Sequence, residues 1–163
     1  MGQGLLPHTT RARQNWFEIG HRPSLIGAVD STPSLCPCGS QRSAATCCER
    51  FITGGARPET AEALMRSRYT AYVRGAVDYL LQTWHPRNVT PGLRADLEQL
   101  CRRIHWLGLE VLTTRQGQAA DKVGKVQFRV TYLEEGKRQS HQEFARFTRH
   151  NGRWIYLDGV VDA

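Results

Sequence analysis

The chain has 163 residues, 40% of them hydrophobic and 23% charged. That composition suits one globular domain with a small appendage and excludes a chain disordered throughout. With 22 basic against 15 acidic residues the formal net charge is +7, which excludes a strongly acidic protein and admits RNA, phospholipid or an acidic partner.

Residues 1–33 read as a flexible tail. Pro7, Pro23 and Pro33, with Gly2, Gly4, Gly20 and Gly27, interrupt any periodic pattern. The segment lacks the unbroken apolar core of a secretory signal, and no stretch of the chain approaches the roughly 20 apolar residues of a membrane span. The expected compartment is the cytoplasm, with no transmembrane segment.

A cysteine-rich segment follows, at 34–50, too short to build a core of its own. Cys36 and Cys38, then Cys47 and Cys48, are two close pairs separated by a short loop. Four thiolates suit a borderline-soft ion such as zinc, which they bind tetrahedrally. Disulfides and unligated thiols are the competing readings. Cys36 and Cys38 are too close to bridge comfortably, adjacent Cys47 and Cys48 would form a strained ring, and a cytoplasmic chain is reduced. The spacing therefore favours one structural zinc ion held by Cys36, Cys38, Cys47 and Cys48.

Beyond it the pattern becomes helical. Pro58 suits a first helical turn, and Met65, Tyr69, Tyr72, Val73 and Ala76 recur at helical spacing. Gly75 interrupts before a second stretch, 76–84, which His85-Pro86 ends. Thr90-Pro91 reads as an N-cap and first turn for a helix with Leu93, Leu97, Leu100 and Cys101 on one side. Strands come next. Leu107, Leu109 and Val111 alternate, as do Val126, Phe128, Val130 and Tyr132. Glu135-Gly136 marks a hairpin turn, the strand 139–149 puts Glu143, Ala145 and Phe147 on one face, and Asn151-Gly152 turns into a last strand, 154–160. Helices followed by an antiparallel meander make an α+β domain, 56–161, with helices packed on one face of a curved sheet. The knuckle should depend on metal, while the domain has faces enough for its own core.

The run from Cys36-Pro-Cys38 to Cys47-Cys48 resembles the SEC-C motif, a zinc knuckle also found at the C-terminus of the bacterial translocation motor SecA. The blocks 64–72, 78–80, 83–86, 106–109 and 152–159 resemble the YchJ family of small bacterial SEC-C proteins, so that the likeness covers 35–160. It implies a domain similar to the nuclear-transport-factor-2-like fold, in which a bent antiparallel sheet wraps helices into a cone. If the cone is present, Arg68, Glu143, Arg146 and Asp158 are the polar groups expected to face inward among Trp84, Trp106, Trp154 and Tyr156. His85 completes the candidate pocket, although beside Pro86 it reads as a helix end before it reads as an acid–base group.

No spacing fixes a pair of acid–base groups, and no phosphate-binding glycine loop or Ser-His-Asp order occurs. The favoured function is a non-enzymatic, zinc-binding interaction protein. Its knuckle would dock a protein partner, and its cone would offer a pocket to a small molecule or peptide. The alternative is an enzyme of hydrolase or isomerase type using that pocket; the second alternative is a nucleic-acid- or ribosome-associated zinc module.

Overall fold

The computed structural model describes residues 34–161; the expected tail, 1–33, lies outside them. The element order is α1 (Glu49–Ile52), α2 (Ala61–Arg74), α3 (Val77–Gln82), a 3-10 turn (Pro86–Asn88), α4 (Leu93–Arg103), then β1 (His105–Gln116), β2 (Val123–Glu134), β3 (Lys137–His150) and β4 (Arg153–Val161). The strands form one antiparallel meander in the order β1-β2-β3-β4. The α+β class and its sequence of helices then meander are as the periodicity predicts.

Helix α2 is the centre of the molecule. Its N-cap is Thr60, whose hydroxyl accepts from the Ala63 N–H at 3.1 Å. The predicted start near Pro58 is thus three residues early. A proline at a first turn only avoids losing a donor, whereas a threonine hydroxyl satisfies one. The helix stops at Gly75, which is left-handed at φ 67° and turns the chain into α3. The predicted cap at Thr90-Pro91 is also displaced: Thr90 closes a turn onto the Leu93 N–H, and α4 begins there behind Gly92.

Two hairpins obey their sequence signals. Glu135-Gly136 and Asn151-Gly152 each have φ of 49–76° at both central positions, the geometry that matches the twist of the flanking strands. Strand β1 departs from simple alternation. Its register slips between Trp106 and Gly108 and again between Val111 and Thr113. The first bulge leaves Leu107 exposed and turns Trp106, with Leu109 and Val111, toward the core.

One face of the sheet receives the helices. Leu64, Met65 and Tyr69 of α2 pack with Val126, Phe128, Val130, Ala145, Phe147, Trp154 and Tyr156. Burial of side chains of this size is worth about 1.5–3 kcal/mol each. A second cluster joins Tyr72, Val77, Leu80, Leu93, Leu97 and Leu100 across α2, α3 and α4. The knuckle cysteines belong to the first cluster, so the knuckle and the helix–sheet domain share a core. No helix among the described residues is long and apolar enough to cross a membrane.

Candidate metal centre

The knuckle is built by backbone turns. The Cys36 N–H bonds to the Arg42 carbonyl at 2.8 Å, which closes the first loop, and Cys48 caps α1. Gly39, at φ 76°, lies where a Cβ would meet the Leu109 carbonyl of β1 at 3.1 Å; the loop is pressed against the sheet edge. From the other side Arg66 of α2 donates Nη1 to the Cys38 carbonyl at 2.8 Å while its Nε pairs with Glu62. Thr70, one turn along, brings its hydroxyl to 3.6 Å from the Cys36 sulfur.

The four sulfurs of Cys36, Cys38, Cys47 and Cys48 are buried and lie within 4.8 Å of one another. Cys38 to Cys47 is 3.6 Å and Cys47 to Cys48 is 3.8 Å. Tetrahedral thiolates on metal–sulfur bonds of about 2.3 Å stand about 3.8 Å apart, so these two pairs are at the separation such an ion requires and the remaining pairs, all within 4.8 Å, are near it. The cluster can hold a metal ion. Cys101, the fifth cysteine, is on α4 and takes no part.

Protons are unevenly shared among these thiols. Hydrogen bonding from Cys48, against the cost of burial and helped by Ser40, lowers Cys38 to about 4. Cys48 is raised, first by its bond to Cys38 and then by burial, and Cys47 is raised mainly by burial. Metal uptake near neutrality should therefore displace protons from Cys47 and Cys48, and affinity should fall as pH falls. Calorimetry of the titration in buffers of different ionisation enthalpy measures the release. Uptake without net proton release would contradict this arrangement.

Below the sheet lies a cavity of about 20 Å³ lined by Met65, Arg68, Tyr72, Trp84, Phe128, Glu143 and Tyr156. Arg68 is 3% exposed and Glu143 fully buried. Arg68 donates Nη1 to the Leu80 carbonyl and the Thr83 hydroxyl, with its guanidinium carbon 4.8 Å from the ring centroids of both Trp84 and Tyr156. Tyr156 donates its hydroxyl to Glu143 Oε1 at 3.0 Å. Burial, and then the Glu143 charge, push that hydroxyl's pKa up and keep it a donor. The His141 Nε2 stands 3.5 Å from Glu143 Oε2.

Of the nine candidate pocket residues, Arg68, Trp84, Glu143 and Tyr156 meet at this cavity. The structure differs for Arg146 and Asp158. They pair with each other on the opposite, outer face, where the Arg146 side chain is 50% exposed. Arg146 faces outward by simple alternation with Glu143, Ala145 and Phe147, and Asp158 through a bulge in β4: Phe147 pairs with Tyr156 and Arg146 with Asp158, so Leu157 is an extra residue that reverses the facing of the residues after it. Gly159 takes the inward position instead, and a side chain there would run into Glu143. Trp106 packs among Tyr69, Tyr72 and Tyr132, and Trp154 donates its indole N–H to the Glu59 carbonyl at 2.8 Å; neither lines the cavity. His85 caps the 3-10 turn, its Nδ1 accepting from the Arg87 N–H, and its backbone N–H holds the Tyr156 carbonyl.

Sequence reasoning missed Thr83 and His141. Thr83 opens the block 83–86 and fixes Arg68 across a helix end, a contact that the block's residues do not announce. His141 precedes Glu143 by two in a strand and so shares its face, a signal that period-two reading already contains.

A helix layer on a four-stranded meander, preceded by a buried four-cysteine cluster, defines a small SEC-C-type protein with an NTF2-like domain. Residues 60–159 match the family described as "YchJ, middle NTF2-like domain". A UPF0225 protein of Streptomyces coelicolor is 48% identical over 124 residues, covering 76% of this chain and 93% of that one. The UPF0225 protein YchJ of Shigella dysenteriae is 42% identical over 126 residues, covering 77% and 82%. The solution structure of a SEC-C motif containing protein from Rhodopseudomonas palustris has a TM-score of 0.69 at 29% identity, covering 79% of this chain and 100% of that one. A crystal structure of a SEC-C motif containing protein from Psychrobacter arcticus gives 0.64 at 25%, covering 79% and 83%. The chain belongs to the YchJ (UPF0225) family.

Proposed function

We propose that the protein is a non-enzymatic interaction protein of the bacterial cytoplasm, in which one structural zinc ion sets the knuckle as a docking surface. The observation that carries this reading is the donor set. Four buried sulfurs within 4.8 Å of one another would leave a bound ion no coordination position for water or substrate, so the ion would serve structure rather than chemistry. Zinc would be held by Cys36, Cys38, Cys47 and Cys48 and would supply the cross-link that so short a segment needs. A reducing compartment keeps these thiols available to it.

The interior cavity is too small to take a ligand or a substrate, which favours a contact at the surface over chemistry inside the domain. At about 20 Å³ it has room for a water molecule or so, far below the several hundred Å³ typical of ligand pockets. More space lies outside, in a groove of about 440 Å³ bordered by Ile52 and Thr53 of the knuckle side and by Val77, Tyr79, Arg94 and Glu98 of α3 and α4. A side chain of a partner seated on the knuckle would enter there. Leu35, 66% exposed beside Cys36, adds an apolar contact on the same small module.

Elemental analysis of protein purified without added metal should give about one zinc per chain. Iron in its place, or no metal at all, would overturn the zinc assignment. For docking, the native protein, Cys38→Ser and Leu35→Asp serve as baits for cytosolic proteins. The reading expects one partner retained by the native protein and lost with either substitution, Leu35→Asp keeping its metal. Retention unaffected by both substitutions would rule the knuckle out as the contact.

A further inference from the structure

The face of the sheet turned away from the helices is basic. Its cross-strand register sets Arg115 opposite Lys125 and Lys125 opposite Arg146, a row of like charges across β1, β2 and β3. All three residues are exposed. Like charges directly opposite one another are unfavourable in a sheet. Within this row only Arg146 has a carboxylate partner, Asp158; none is present for Arg115 or Lys125 among the described residues. The adjacent row runs from Thr113 through Gln127 to Phe144 and Val160. Phe144 is partly exposed there, with the Lys125 ammonium 5.9 Å from its ring centroid, and Val160 is 61% exposed. Arg129, one row further, is neutralised by Glu110 at 2.8 Å. The helices pack on the other face, through Val126, Phe128, Ala145 and Phe147.

We propose that this outer sheet face binds a single-stranded polynucleotide, with phosphates on Arg115 and Lys125 and a base stacked on Phe144. The two uncompensated cations of the row, Arg115 and Lys125, call for a polyanion, and the fit is that of charge complementarity on a chain with formal net charge +7. The ring at the margin of the row chooses among polyanions. A flat aromatic beside cations offers a stacking platform to an unpaired base, which neither a duplex nor an acidic peptide can use. The surface is independent of the knuckle, and the proposal stands apart from the docking role assigned to the metal centre.

Fluorescence anisotropy of the full, metal-loaded chain with labelled 15-mer uridylate and thymidylate tests it, at low and moderate salt. Binding should weaken steeply with salt. Lys125→Glu should lower affinity about tenfold or more, whereas Arg102→Glu on α4, with the same change of charge but on the helix layer, should leave it within about twofold. Phe144→Ala should cost about tenfold and leave the salt slope unchanged, since stacking displaces no counterions. The RNA and DNA arms decide which polymer is preferred, and binding of either supports the proposal. Equal losses for Lys125→Glu and Arg102→Glu would reduce the effect to overall charge and overturn it. So would displacement of the oligonucleotide by polyglutamate at equal charge concentration, or a Phe144→Ala protein that binds like the parent, since both identify a polyanion surface without base recognition. Circular dichroism confirms that each variant is folded.

Discussion

Replacing Arg68 by alanine should destabilise the protein by about 3–5 kcal/mol, the scale of two buried hydrogen bonds from a charged donor at about 1.5–3 kcal/mol each. Three losses combine. The Leu80 carbonyl and the Thr83 hydroxyl lose their donor, so the end of α3 is no longer tied to α2. The rings of Trp84 and Tyr156 lose the cation between them. Glu143, fully buried at the same cavity, keeps only the Tyr156 hydroxyl and the more distant His141 ring. A second variant separates the charge from the packing. If Glu143 is the reason for much of the cost, Arg68→Ala combined with Glu143→Gln should be less damaging than the two single costs added together. Chemical denaturation of all four proteins gives the cycle. An Arg68→Ala protein within about 1 kcal/mol of the parent would show that the arginine is a spectator, and strict additivity would show that it does not serve Glu143.

Residues that act through regular periodicity were legible in the sequence. The helical spacing of Met65, Tyr69 and Tyr72 and the alternation of Val126, Phe128 and Val130 give the two layers of the core. The same period places Glu143 inward. What broke the period was not legible. A bulge has no residue signature of its own, so the extra residues Leu107 and Leu157 could not be found, and with them the exposure of Leu107 and the outward turn of Asp158. The cysteine cluster was readable because its members lie close in sequence. Its seat was not, since Arg66 reaches Cys38 across 28 positions and a contact of that kind leaves no local trace. The outer-face cations were likewise visible one by one, but only the strand register sets Arg115, Lys125 and Arg146 abreast.

That seat decides what metal removal should do. A knuckle hung on a linker would unfold alone on chelation and leave the melting of the domain untouched. Here Cys36, Cys38, Cys47 and Cys48 pack in one cluster with Leu64, Met65 and Tyr69, the helix face that also meets the sheet. Arg66 and Thr70 hold the knuckle from the same helix. Once the ion is gone, nothing balances the entropy of ordering so short a segment, and its unfolding uncovers one side of α2. Partial exposure of a few such side chains costs a few kcal/mol, on the order of 10 °C in melting temperature for a chain of this size. Scanning calorimetry with and without chelator should therefore show a single transition that moves down as a whole, with Cys38→Ser behaving like the chelated protein. Hydrogen exchange should locate the loosening in the amides of 63–70, next to the knuckle. The β2–β3 ladder, whose pairing runs unbroken from Val123 to Glu134, should stay protected. A chelated protein that melts at the native temperature, with the α2 amides unchanged, would make the knuckle an appendage and the shared core of no consequence to stability.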